Sequence, residues 1–232
     1  MKKIAAFVGG MLACAAVALL VVGWSMGGGA LTFNSATFST SGSLNIPTGQ
    51  SVTINSVDAL TRLRHMWLDS GAFVPQTTSG AGTSTYEFAD YYTMNDQIDF
   101  SATETEFAQV RFTLPPEWNS GPIKAKVYWR TLWTAESGVA WGLQAHAVSN
   151  ADTIDLEWAE TTICTDVNGT EKTLNITAAA TVTFDTPIVK NDALYLRIYR
   201  EVTNAADVIE SDVSLLGVLI QYGESPVVSE TW

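Results

Sequence analysis

The chain has 232 residues, with 24 Asp and Glu against 12 Lys and Arg, and a formal net charge of −12 at pH 7. Hydrophobic residues make up 47% and charged residues 16%, a balance typical of an ordered chain. The acidic excess argues against a nucleic-acid partner, because phosphate neutralisation needs clustered Lys and Arg. Two cysteines and two histidines are too few for a disulfide framework or a typical zinc site. We therefore expect no nucleic acid and no cofactor.

Residues 1–30 are predicted to form an N-terminal apolar helix and a glycine linker. Residues 4–24 carry no charge and follow Lys2 and Lys3. As a helix rising 1.5 Å per residue they would span roughly 30 Å, the thickness of a hydrocarbon core. An export signal, a membrane anchor and a helix packed inside an assembly all fit this pattern. A membrane partner through residues 4–24 therefore stays open.

Residues 31–58 alternate apolar and polar side chains, as in Leu44 and Ile46 or Val52 and Ile54. This period of two predicts short β-strands. They are poor in large apolar groups and cannot bury enough surface alone. A thin β stalk whose copies share one core, as a homotrimer, solves that problem. The alternative is a meander packed on the next domain.

Residues 59–96 are interpreted as a connecting segment with a short helix and an exposed loop. Apolar residues within 57–67 are spaced at three and four, which suits a helical face; they are Val57, Leu60, Leu63 and Trp67. Residues 71–85 are rich in Gly, Ser and Thr, which is typical of a loop.

Residues 97–232 are predicted to form a jelly-roll-like β-sandwich. Strand 123–133 would direct Ala125, Val127 and Trp129 to one face, and strand 139–148 would do the same with Trp141 and Leu143. At least eight such strands without helical periodicity favour two packed sheets. The predicted fold class is all-β, with the sandwich preceded by the thin stalk and the N-terminal apolar helix.

Several short segments follow one another in a fixed order between residues 97 and 222. They are DFSATE at 99–104, LPPEW at 114–118, VYW at 127–129, VAWGL at 139–143, DAL at 192–194, RIYR at 197–200, and LGV at 216–218, together with Asp207 and Asp212. This order resembles a jelly-roll-like domain at the carboxyl ends of virion structural and fibre proteins of tailed phages. The resemblance implies an exposed, trimeric structural component that contacts other virion proteins. It carries no catalytic signature.

Carboxylate pairs on one strand face are the nearest approach to a catalytic pattern; they are Glu104 with Glu106, and Asp155 with Glu157. Acidic surface strands carry such pairs routinely, so we expect no enzymatic activity. Cys164 lies in an alternating strand and is predicted to be a free, buried thiol. A loop calcium ion remains open at two acidic groups: Asp152, Asp155 and Glu157, or Asp207, Glu210 and Asp212.

Aromatic side chains are the remaining candidates for a binding site. Trp129 and Trp141 lie on predicted inward faces and should belong to the core. Trp133, Trp158, Tyr91 and Tyr92 are less constrained and are the candidate ligand-contact residues. Two functions follow: a non-enzymatic structural protein of a virion surface that assembles with itself and contacts a host glycan or envelope, or a secreted or membrane-anchored carbohydrate-binding β-sandwich module. The first predicts location on the virion, the second outside the cell or in its membrane.

Overall fold

The computed structural model describes residues 53–54, 57–58 and 62–225, and the strands are numbered here in chain order. One sheet has five strands: β4 (Val74–Pro75), β7 (Phe107–Phe112), β9 (Gly138–Val148), β10 (Thr162–Val167) and β13 (Ala193–Arg200). A second sheet has seven: β3 (Arg62–Asp69), β5 (Gly82–Glu87), β6 (Met94–Phe100), β8 (Lys124–Thr131), β11 (Asn175–Ile176), β12 (Ala180–Thr181) and β14 (Val213–Glu224). The helical structure in these ranges is one 3-10 turn, Ser70–Ala72. The predicted all-β, two-sheet architecture is confirmed, and its jelly-roll-like character stays a prediction.

All strand pairs in both sheets are antiparallel. The five-stranded sheet runs in the order β10-β9-β13-β7-β4, with β13 at its centre. In the larger sheet, β14 lies between β8 on one side and β6 and β3 on the other. A register shift between Leu215 and Gly217 divides β14 into two parts. The first part pairs with β6 and the second with β3, so this bulge lets two strands share one edge.

The core lies between the two sheets and is built from alternate residues of each strand. On β8 the inward side chains include Val127 and Trp129, and on β9 they include Trp141 and Leu143, all fully buried. The Trp141 ring lies edge-on to Phe100 at 5.3 Å between centroids. These are the faces that period-two alternation predicts, and the predicted core positions of both tryptophans are confirmed.

A buried ion pair connects the core to the long loop after β13. The Arg200 side chain is fully buried, and its Nη2 donates to Asp207 Oδ1 at 2.6 Å. The guanidinium also donates to the carbonyl oxygens of Ser211 and Ile209. Asp207 accepts a further bond from the Ala140 backbone N–H. These contacts fix the loop after β13 against β9.

The predicted short helix over residues 57–67 is wrong. Residues 62–69 form strand β3, which pairs with β14 from Asp69 opposite Gly217 to Arg62 opposite Glu224. Leu63 and Trp67, expected on a buried helical face, are 65% and 45% exposed, while Leu68 is buried. The physical reason is the free edge of β14, whose backbone groups need partners that a helix cannot provide.

The segment 59–96, interpreted as a connection, supplies three sandwich strands and the start of a fourth within its described part. The three are β3, β4 and β5, the fourth is β6, and they pair into both sheets. The predicted loop at 71–85 contains β4 and the start of β5.

The predicted N-terminal helix lies outside the described residues. The predicted stalk does so too, except for β1 (Thr53–Ile54) and β2 (Val57–Asp58), which pair antiparallel. Across the ranges that the structure describes, no helix has the length and apolarity to cross a membrane.

Candidate binding face

The outer surface of the five-stranded sheet carries a regular array of aromatic and polar side chains. Strands β7, β9 and β13 direct alternate residues into the core, so the residues between them point outward. The antiparallel register aligns these outward residues in three rows across β9, β13 and β7. The rows are His146–Tyr195–Arg111, Gln144–Arg197–Gln109 and Gly142–Tyr199–Phe107. We call these nine residues, together with Trp158 from the loop between β9 and β10, the aromatic face.

Tyr199 and Gly142 form one end of the aromatic face. A Cβ atom on Gly142 would stand 2.3 Å from Cζ of Tyr199, so the phenol ring covers the glycine backbone. The Tyr199 hydroxyl lies 3.0 Å from Thr161 Oγ1, and its ring is 5.2 Å from the Phe107 ring. Burial raises the pKa of Tyr199. This end of the face is therefore closely packed, and it holds Tyr199 in one position.

Arg197 occupies the centre of the aromatic face. Its guanidinium carbon lies 4.6 Å from the Phe107 ring centroid and 4.5 Å from that of Trp158. Its Nε donates to Gln144 Oε1 at 3.0 Å, and Nη2 donates to the same oxygen. Burial lowers the pKa of Arg197. The cation is thus held by two rings and an amide, and none of these contacts neutralises its charge.

His146 lies in the first row, beneath Trp158. Its ring is 4.5 Å from Trp158 and 4.9 Å from Tyr195, and the residue is 4% exposed. Among the residues that the structure describes, neither ring nitrogen has a hydrogen-bond partner. Burial lowers the pKa of His146, and Arg197 lowers it further, while Asp185 and Asp155 act in the opposite direction. Burial is the largest of these effects, so the imidazole is neutral at pH 7.

The β7 side of the aromatic face is open and polar. Arg111 is exposed, and its guanidinium carbon is 5.9 Å from the Tyr195 ring centroid. Within residues 62–225, neither the Arg111 guanidinium nor the Gln109 amide has a hydrogen-bond or ion-pair partner. Donors and acceptors that are unpaired and beside an aromatic ring are the groups that orient a polar ligand.

The four candidate aromatics from the sequence do not come together. Trp158 joins the aromatic face. Trp133 packs partly against the core and donates from Nε1 to Ser137 Oγ at 3.2 Å. Tyr91 and Tyr92 are 89% and 72% exposed in the turn between β5 and β6. Their roles as ligand contacts stay predictions.

Sequence reasoning missed Tyr195, Tyr199 and Phe107. A signal for two of them was present, because residues 193–200 alternate with Tyr195, Arg197 and Tyr199 on one side of the strand. That pattern shows which residues share a face, but it does not show which strands lie beside them.

The remaining candidate groups have structural partners. Cys164 is confirmed as a free, buried thiol, and burial raises its pKa to about 11. Asp207 is paired with Arg200, and Asp212 accepts a hydrogen bond from the Ala102 N–H. In the described part of the chain, no group of three or more His, Cys, Asp or Glu side chains is arranged to hold a metal ion, so neither candidate calcium set assembles there.

No family model and no curated protein matches the chain. Several solved structures are similar. A CBM22-1–GH10 structure of endo-1,4-beta-D-xylanase 10B from Clostridium thermocellum, complexed with xylohexaose, is 11% identical with a TM-score of 0.41; the match covers 67% of this chain and 27% of that one. A family 11 carbohydrate-binding module from the same organism, in complex with a mixed-linked tetrasaccharide, is 8% identical with a TM-score of 0.37, covering 67% and 94%. The CBM22-1–CBM22-2 tandem of Paenibacillus barcinonensis Xyn10C is 14% identical with a TM-score of 0.41, covering 68% and 49%.

This chain thus spans about a quarter of the first of these structures and about half of the third. At these sequence identities and TM-scores, the similarity to the three structures does not indicate the function of this chain. The resemblance to tailed-phage virion proteins, the homotrimer, the virion location and the lack of enzymatic activity all stay predictions.

Proposed function

We propose that the sandwich is a non-enzymatic carbohydrate-binding module and that the aromatic face is its binding surface. The observation that carries this proposal is the first row, in which the half-buried Tyr195 ring lies between His146 and Arg111, with Gln109 of the second row two residues before Arg111 on β7. A sugar ring has an apolar C–H face and a polar rim of hydroxyl groups. The apolar C–H face packs on an aromatic ring, and the hydroxyl groups of the rim need hydrogen-bond donors and acceptors beside that ring.

Rigidity supports the same function. The Tyr199 ring, the Arg197 guanidinium and the Gln144 amide are already fixed by contacts within the face. A binding surface that is ordered before the ligand arrives loses less conformational freedom on binding. The outward positions of β7, β9 and β13 carry no carboxylate, so this face lacks the acid–base pair on which glycoside hydrolysis depends. Binding without cleavage is the function that these side chains favour.

The test is glycan binding by the full chain, first on an array of neutral and acidic polysaccharides and then by isothermal titration calorimetry. We expect Tyr195→Ala to weaken binding at least about 10-fold, because truncating a central aromatic anchor removes roughly 2 kcal/mol or more. Tyr128→Ala is the matched control, since it removes the same half-buried side chain from β8 in the other sheet. It should bind as the wild type does. The proposal fails if no glycan binds, or if Tyr195→Ala and Tyr128→Ala bind equally well.

A further inference from the structure

The cationic side of the aromatic face indicates the charge of its ligand. Arg64 and Arg200 each pair with a carboxylate, Glu224 and Asp207 respectively. Arg111 has no such partner within residues 62–225, and its guanidinium carbon lies over the Tyr195 ring, 5.9 Å from the ring centroid. A guanidinium carries five N–H donors and cannot lose its charge in the physiological range. Arg111 therefore offers an anion a complete and unused set of donors.

The distribution of charge around the face supports this reading. The chain has twice as many acidic as basic residues, yet the outward positions of β7, β9 and β13 carry Arg111 and Arg197 and no Asp or Glu. Glu201 acts on Tyr199, and Asp155 and Asp185 act on His146 on β9. Arg111 lies on β7, two strand spacings or about 10 Å away. The outward positions of these three strands thus carry positive charge and no carboxylate.

We infer that the ligand is an acidic polysaccharide and that Arg111 binds the carboxylate of a uronic acid unit; this inference rests on the proposed function. The pyranose ring packs on Tyr195, and its carboxylate accepts two parallel hydrogen bonds from the Arg111 guanidinium. Gln109, two residues before Arg111 on the same face and about 7 Å from it, bonds a hydroxyl of the same or the next unit. A planar guanidinium matches a planar carboxylate in this way, whereas an ammonium does not.

The experiment compares ligands that differ only in charge. Homogalacturonan and alginate are titrated against the full chain, each beside its methyl-esterified form, with dextran sulfate as a source of a different anion. The variants are Arg111→Gln and Arg111→Lys, with Arg62→Gln as a matched control because Arg62 is an exposed arginine on β3 in the other sheet.

We expect at least one uronate polymer to bind about 10-fold more tightly than its ester, because the ester lacks the charge that strengthens the hydrogen bonds from Arg111. Arg111→Gln should remove that difference, so that the acid and its ester bind this variant equally tightly. Arg111→Lys should keep only part of it, and Arg62→Gln should keep all of it. Raising the salt concentration should weaken binding of the acid form alone.

Three outcomes would overturn the inference while leaving the proposed function intact: equal binding of acid and ester, acid binding that Arg111→Gln does not change, or Arg111-dependent binding of dextran sulfate as tight as that of the uronates. If no glycan of any charge binds, the proposed function itself fails.

Discussion

The phenol ring of Tyr199 occupies the space in which a side chain on Gly142 would begin, with 2.3 Å between Cζ of Tyr199 and the position of a Cβ on Gly142. The two residues are direct partners across β13 and β9. Phe107 packs beside the Tyr199 ring, and Thr161 Oγ1 lies within hydrogen-bond distance of the Tyr199 hydroxyl, so Tyr199 cannot move without losing these contacts as well. The glycine in this strand is therefore a requirement of the aromatic face.

Gly142→Ala tests this relationship. We expect the added methyl to displace the Tyr199 ring and to lower the free energy of unfolding by about 1–3 kcal/mol, as overpacking does. Urea unfolding followed by tryptophan fluorescence measures the change. The double variant Gly142→Ala with Tyr199→Ala should show less than the sum of the two single losses, because the clash is then absent. Strict additivity would contradict the proposed steric cause.

The Arg200–Asp207 pair provides the second prediction. Asp207→Ala leaves the fully buried Arg200 guanidinium without its counter-charge and should lower the free energy of unfolding by about 3–5 kcal/mol. Arg64→Gln breaks the exposed pair with Glu224 and should change stability only slightly. Chemical unfolding measures the free energy of unfolding of both variants. Similar losses in the two would show that burial does not make the Arg200–Asp207 pair contribute more to stability than the exposed pair.

The sandwich core could be predicted because its signal is local. In the strands that contain Trp129 and Trp141, every second residue from Ala125 to Trp129 and from Val139 to Ala145 is apolar and fully buried. Strand β3 could not be predicted in this way. Its apolar residues are spaced as in a helix, and its partner is far away in sequence, as shown by the Arg64–Glu224 contact between residues 160 positions apart.

The candidate site was less predictable than the core for a related reason. Trp158 is a tryptophan in the irregular segment between β9 and β10, so its residue type is enough to make it a candidate ligand contact. Tyr195 and Phe107 are ordinary strand residues until the antiparallel register sets β13 between β7 and β9. The binding face is thus a property of strand order, which the alternation within a single strand does not encode.

Cys164 provides a prediction about reactivity. Its thiol is buried and its pKa is raised to about 11 from an ordinary 9.0, so thiolate is scarce at pH 8. In a full chain with Cys14→Ser, we expect a disulfide reagent to label almost no thiol in the native protein and one per chain in denaturant. Rapid labelling of the native protein would contradict burial of this thiol.

The same shift has a consequence for stability at high pH. Between pH 9 and pH 11 the unfolded chain releases the Cys164 proton while the folded chain retains it, so the free energy of unfolding should fall as pH rises above about 9. Cys164→Ala, made in the Cys14→Ser background, removes this group and should flatten the fall relative to its parent. Equal slopes in the two proteins between pH 9 and pH 11 would contradict the assigned shift.

Because of His146, we expect the free energy of unfolding to depend on pH in the opposite direction at mildly acidic pH. Burial lowers its pKa below the ordinary 6.5, so as pH falls through 6.5 the unfolded chain binds a proton that the folded chain does not. The free energy of unfolding should therefore decrease from pH 7.5 to pH 5.5. His146→Phe keeps a ring between Trp158 and Tyr195 but cannot titrate, and it should reduce this decrease. Urea titrations at the two pH values decide the matter, and an unchanged pH dependence in His146→Phe would refute the role assigned to this histidine.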